Sequence, residues 1–277
     1  MTSTGSPAPL MPVVFFGHGS PTIARESNEV TRAWRTIAES LPRPKAILCI
    51  SAHWLTRGTG VTAMARPKTI HDFGAGLGSD LFQIQYPAPG APALAARVRE
   101  LLAPAPVALD TSQWGLDHGA WSVLMKAYPN ADIPVAQLSM DATKPPAWHY
   151  DQGRKLQPLR AEGVLIVGTG NTVHNLGVMD WDGRYGAPYD WAKRFSEHIR
   201  DAVLADQPER LIDYADQGAD AALAHPTPDH YWPLLYVAGA RMAGDVASAP
   251  VDHIEYRSVG MTSFVLTPAA GMAAAAA

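Results

Sequence analysis

The chain reads as a single α/β domain, with a central, mostly parallel or mixed sheet flanked by helices and a metal site at the strand carboxyl edge. Three observations predict this. Short, nearly continuous apolar runs alternate with stretches whose apolar residues recur at helical spacing. No composition break or internal repeat divides the 277 residues, a length that one core can serve. Three of the apolar runs are each followed closely by a histidine: His18, His53 and His174. In an open α/β sheet the strand carboxyl ends share one edge, where ligands collect, so residues remote in sequence converge there.

The first strand, at residues 12–16, is Pro-Val-Val-Phe-Phe and leads into Gly17-His18-Gly19-Ser20-Pro21. A helix follows at 28–40, where Val30, Trp34, Ile37 and Leu41 recur on one side. The run at 45–51 is a second strand, ending at Ser51-Ala52-His53-Trp54, and 59–64 a third. Residues 66–90 form a long, glycine-rich loop, a length that usually signals function, and they are expected to wall the substrate pocket. A helix at 92–102 and a strand at 107–110 lead to Asp117-His118-Gly119. There Asp117 caps a helix at 118–127. Strands at 133–139 and 163–168 bracket a helix at 148–160. The 163–168 strand ends in Gly168-Thr169-Gly170-Asn171-Thr172-Val173-His174, which lacks the lysine of a P-loop and the third glycine of a dinucleotide fingerprint. Helices at 188–205, 208–213, 216–223 and 230–240 come next. In the first of them Trp191, Phe195, Ile199 and Val203 make one apolar stripe. Strands at 251–257 and 262–267 close the domain, taken as 11–267 with flexible ends at 1–10 and 268–277.

Composition narrows the function classes. A net charge of −4 lacks the basic excess of a nucleic-acid binder. The single cysteine, Cys49, excludes an intrachain disulfide and a thiolate zinc cage, and its apolar strand makes it a small buried hydrophobe. Neither end carries a convincing signal peptide or membrane span, so the expected location is cytoplasmic, without membrane partners. No self-complementary patch speaks to oligomeric state.

The histidines carry the chemistry, since neutral imidazole is the commonest protein ligand for transition metals. Glycines on both sides of His18 let the backbone approach a ligand closely. His53 gains weight from its pairing with His18 on a neighbouring strand. His118 opens a helix, where the positive end of the dipole favours a neutral, proton-accepting ring. His225-Pro226-Thr227-Pro228-Asp229-His230 holds two histidines and a carboxylate in a stiffened loop. Five positions apart, His225 and His230 need not face the same ion. His71, His149 and His198 lack such a setting, His198 being expected exposed on a surface helix, and His253 is at most a support behind the ligands. Trp54, Phe73, Trp121 and Tyr231 are candidate aromatic walls.

Gly-His-Gly-Ser-Pro, Ser-Ala-His-Trp, Asp-His-Gly-Ala-Trp, Gly-Asn-Thr-Val-His-Asn and His-Pro-Thr-Pro-Asp-His, in this order from about residue 11 to 267, resemble the class III extradiol ring-cleavage dioxygenases. The DOPA extradiol dioxygenase type is the nearer likeness. The resemblance implies a mononuclear non-haem centre that opens a catechol with O2, using Fe2+, with Zn2+ also held by some members. Carried over by motif, His18, His53 and His230 are metal ligands. His118 is a catalytic group at the substrate, and His174 is a catalytic group or further ligand. His225 and Asp229 are additional candidates. Many class III enzymes use two histidines and a glutamate. No glutamate stands in a matching place here, so Asp229 is the fallback carboxylate, and an all-histidine site suits Zn2+ as well as Fe2+. A zinc hydrolase on the same histidines, or a non-enzymatic binding module, are the alternative readings.

Overall fold

The computed structural model describes residues 10–269; residues 1–9 and 270–277, which hold most of the expected flexible ends, lie outside them. The chain runs β1 (Val13–Gly17), α1 (Glu29–Ser40), β2 (Ala46–Thr56), β3 (Thr59–Thr62), β4 (Lys68–Thr69), α2 (Pro92–Leu102), β5 (Val107–Asp110), β6 (Gly115–Leu116), α3 (His118–Ala127) and β7 (Val135–Asp141). It continues through α4 (Pro146–Lys155), α5 (Pro158–Ala161), β8 (Val164–Gly170), α6 (Asp190–Leu204), α7 (Pro208–Ile212), α8 (Ala219–Ala224) and α9 (Trp232–Gly239). It closes with β9 (Val246–Val251), β10 (Ile254–Glu255), β11 (Val259–Gly260) and β12 (Ser263–Thr267). Eight strands form the central sheet in the order β5-β3-β7-β2-β8-β1-β12-β9. The middle block, β7-β2-β8-β1, is parallel, and antiparallel pairs join β3 to β7, β12 to β1 and β9 to β12. The result is a mixed α/β sheet in one domain.

The apolar runs are continuous because both faces of the sheet are covered. Side chains alternate across a strand, so Val13 and Phe15 of β1, Leu48 and Ile50 of β2 and Ile166 of β8 pack on one face with α2, α6 and α9. Val14, Phe16, Ile47, Cys49, Leu165 and Val167 pack on the other with α1 and α3. Cys49 is a buried free thiol. The helix α1 starts where Asn28 and Thr31 exchange side-chain and backbone hydrogen bonds in a capping box, and it buries Val30, Trp34 and Ile37.

Two expectations need correction. The expected strand at 251–257 is instead the edge strand β9, which ends at Val251, followed by the two-residue β10. Positive φ angles at Tyr256 and Arg257 turn the chain there. The expected helix at 148–160 is two helices, broken before Pro158, whose ring starts α5 in the first-turn position it tolerates. The 66–90 loop is less irregular than expected: Lys68–Thr69 pairs with Gly115–Leu116, and 3-10 turns span Ala75–Leu77 and Ser79–Gln83.

Candidate metal centre

The ends of β1 and β8, the later part of β2 and the starts of α3 and α9 build the site. His18 follows β1 directly, and its backbone N–H donates to the Gly170 carbonyl of β8. The register of β2 against β7 slips between Ile50 and Leu55, so residues 51–54 leave that ladder and His53 is re-aimed over the sheet edge. His230 precedes α9, and its carbonyl is held by the Asn171 N–H at 2.8 Å. That approach needs glycine at 170, where a Cβ would lie 2.1 Å from the His230 carbonyl oxygen. Gly119 plays the same part in α3, since a Cβ there would stand 2.5 Å from Ser51 Oγ and 2.8 Å from the His53 ring.

One ligand-type atom from each of His18, His53 and His230 lies within 4.8 Å of the others. The Nε2 atoms of His18 and His53 are 3.1 Å apart. Two imidazole nitrogens about 2.1 Å from one ion, at an angle of about 90–110°, stand about 3.0–3.4 Å apart. The donor set therefore suits one shared divalent cation. His230 directs Nδ1 at the Asp229 carboxylate, which leaves its Nε2 free. Nδ1 of His53 lies 3.4 Å from Asp72 Oδ2. The three imidazoles bring no charge of their own, but two carboxylates stand directly behind them. Those carboxylates supply the negative charge that three neutral ligands do not bring to a cation.

His118 is the first residue of α3, which Asp117 caps by accepting from the Ala120 N–H at 3.1 Å. Asp117 is itself buried and takes the Ser51 hydroxyl at 2.6 Å. The His118 ring sits 3.8 Å from that of His53, centroid to centroid, and its backbone N–H donates to Asp72 Oδ1 at 2.9 Å. His174 stacks flat on His230, the centroids 3.4 Å apart and the planes 6° from parallel.

Burial, then the mutual repulsion of the imidazolium forms, drives His18 and His230 well below the ordinary histidine range. Burial and then His118 bring His53 to about 3, against the opposing charge of Asp72. Burial brings His174 to about 4. These rings are neutral bases at physiological pH, ready to bind a cation without first losing a proton. Burial alone would raise the Asp72 carboxyl, but its bond to His118 and the charges of His118 and His53 hold it below the usual range.

A cavity of about 260 Å³ opens over these groups. His18, His53, His118, His174 and His230 line its floor, and Phe73, Leu77, Leu176, Met179, Trp181 and Tyr256 form its walls.

The structure thus brings His18, His53, His118, His174 and His230 together. His225 turns away: its Nε2 meets the Thr172 carbonyl at 2.9 Å, its ring packs on Tyr231 and Phe195, and it does not line the cavity. Asp229 acts on His230 rather than standing among the three nitrogens. Of the expected aromatic walls only Phe73 lines the cavity; Trp54 stacks on Trp114, Trp121 is buried, and Tyr231 packs on Tyr214. His198, expected exposed, is half-buried against Arg210. His149 is buried on Trp232, and His253 stands 3.5 Å from Glu255. Sequence reasoning passed over Asp72, Asn171, Trp181 and Tyr256. For Asp72 the length of its loop was the available signal; for Asn171 it was the glycine-flanked turn after β8.

Residues 9–267 match the family described as the catalytic LigB subunit of aromatic ring-opening dioxygenase. The chain is 51% identical over 256 residues to 4,5-DOPA dioxygenase extradiol of Escherichia coli K12, covering 91% of this chain and 93% of that protein. It is 38% identical over 256 residues to the protein of the same name from Beta vulgaris, covering 90% and 93%. It also resembles the crystal structure of an uncharacterized Escherichia coli K12 protein, with a TM-score of 0.78 and 46% identity over 92% of this chain and 99% of that one.

Proposed function

The chain belongs to the family of the catalytic LigB subunit of aromatic ring-opening dioxygenases, and we propose that His18, His53 and His230 hold its non-haem metal. As a member it is an extradiol dioxygenase, opening a catechol-type ring with O2 at a mononuclear metal centre. The metal we assign is Fe2+, and the substrate a catechol with a side chain, DOPA being the one its relatives are named for. The observation that carries the metal site is the convergence of three imidazoles on the floor of an apolar cavity, and the choice of Fe2+ over Zn2+ follows from the O2-dependent ring opening of the family. A cavity near 260 Å³ suits a single substituted ring, being at the small end of ligand pockets.

When bound, the metal supplies acidity to the catechol hydroxyls and the electronic link between ring and O2. The chain supplies position and protons. His118, within the cavity and beside His53, takes a hydroxyl proton on its ring and returns it later in the turnover. His174, stacked on His230, is the second proton-handling group and holds the plane of that ring. Phe73, Leu176, Met179 and Trp181 clamp the substrate ring and exclude water, which strengthens each polar contact below them.

Anaerobic loading with Fe2+ or with Zn2+, followed by air and a panel of catechols, tests the assignment. Expected are O2 uptake and a yellow ring-opened product from the Fe2+ form on DOPA, with the Zn2+ form silent. Ester or amide hydrolysis by the Zn2+ form, without O2 uptake by either, would overturn it.

A further inference from the structure

Asp72 lies in the long loop before α2 and touches two functional histidines at once. Its Oδ1 accepts the backbone N–H of His118 at 2.9 Å. Its Oδ2 lies 3.0 Å from Nδ1 of His118 and 3.4 Å from Nδ1 of His53. Both side-chain contacts are at ion-pair distance, and neither ring nitrogen is aligned for a hydrogen bond to the carboxylate. The carboxylate is mostly buried, with 17% of its side chain exposed.

We propose that Asp72 is a positioning residue that fixes both rings in the Nδ1–H tautomer, so that His53 turns Nε2 to the metal and His118 turns Nε2 to the substrate. A neutral imidazole carries one proton, and the nitrogen facing a carboxylate keeps it, because a carboxylate only accepts. For His53 this agrees with the position of its Nε2, 3.1 Å from that of His18. The same carboxylate also ties the start of α3 to the loop, so ligand, proton carrier and pocket wall share one anchor. The role rests on the ligand and proton assignments above and adds a residue to them.

Both carboxylate oxygens are acceptors here, a demand that an amide cannot meet. In Asp72→Asn one oxygen becomes NH2, so a donor faces either the His118 N–H or the two ring nitrogens, whichever way the amide turns. Facing the rings, it favours the Nε2–H tautomer and puts a proton on the nitrogen that must ligate.

The first measurement titrates Zn2+ alone into metal-free wild type and Asp72→Asn against a chelating dye. The variant is expected to bind about 10- to 100-fold more weakly, the usual cost of losing a group that orients a ligand. In the Fe2+ form kcat is expected to fall in a similar ratio, with KM for the catechol within threefold. A second measurement needs no variant: long-range 1H–15N spectra of histidine-labelled wild type assign the tautomers of residues 53 and 118. Zn2+ affinity within threefold of wild type, or an Nε2–H tautomer at His118, would overturn the role. Should wild type itself bind no divalent metal, the ligand assignment falls, while the tautomers of the metal-free protein still decide the part of Asp72.

Discussion

Two buried polar clusters sit at opposite ends of this fold and obey opposite rules. Around α5, Arg160 and Asp245 pair bidentately with no side-chain exposure on either. The guanidinium also donates to the carbonyls of Met11 and Ala240, and the carboxylate accepts the Met242 N–H. Each charge there is answered by the protein alone. At the sheet edge five imidazoles crowd together with like-charged conjugate acids, and the Nε2 atoms of His18 and His53 face one another at 3.1 Å. A buried network whose charges answer one another is architecture; neutral imidazoles turned toward one another suit the cation proposed above.

Breaking one member at each end separates the two rules. His18→Ala is expected to abolish tight metal binding and to lower activity by more than about 1,000-fold, since a two-imidazole remnant no longer fixes the ion. The unfolding midpoint of its metal-free form should stay within a few degrees of wild type, or rise, as checked by calorimetry. His118→Ala should keep Zn2+ affinity within threefold and lower kcat by about 10²–10⁴-fold, the range for a lost proton carrier. His174→Ala should follow it with a smaller loss. Arg160→Met leaves the buried Asp245 carboxylate unpaired and should cost about 3–5 kcal/mol in urea unfolding, with metal affinity unchanged. Loss of metal affinity in Arg160→Met would mean that the two ends are coupled, and the division between them would fail.

The difference between the clusters also explains what could be read from the residues. Strands such as 12–16 and 163–168 were legible because both faces are buried and the runs are unbroken. The edge strand β9 alternates exposed and half-buried residues and contains Pro250, so the apolar signal slid past it to residue 251. The histidines at strand ends were legible because topology gathers strand ends. His225 was left open, five positions from His230, and only the tertiary contact of its Nε2 with the Thr172 carbonyl decides that it faces the core. Asp72 and Trp181 sit in loops with no periodicity, where position comes from tertiary contacts.

The pH response sharpens the same contrast from outside the centre. Burial holds His149 and His225 down to about 4 in the folded chain, against the ordinary 6.5 when unfolded. Between those values the unfolded chain binds more protons, so stability rises with pH across the window. It should be complete above about pH 6.5 and be lost progressively toward pH 4, by a few kcal/mol per histidine. Urea midpoints of the metal-free protein from pH 7 to 4 measure this. His149→Phe should flatten part of the slope, and an unchanged slope would remove His149 from the account.

The smallest expected effect lies at the cavity mouth, where the loop after β8 is fixed but one of its side chains is not. Arg184 grips Glu26 and Glu255, and Tyr256 exchanges backbone bonds with Arg184 and Asp180, so the loop backbone is anchored. Trp181 nevertheless leaves 67% of its surface in water while lining the cavity. A planar ring bound above the histidines would cover that surface, worth about 1–2 kcal/mol of apolar contact. Trp181→Ala should therefore raise KM about 5- to 30-fold with kcat within twofold, the pattern of binding energy shared by ground and transition states. Tyr185, 75% exposed on the same loop but outside the cavity, is the matched control, and Tyr185→Ala should leave both constants alone. Equal effects from the two variants would trace the change to the loop as a whole, and the aromatic wall would lose its role in holding substrate.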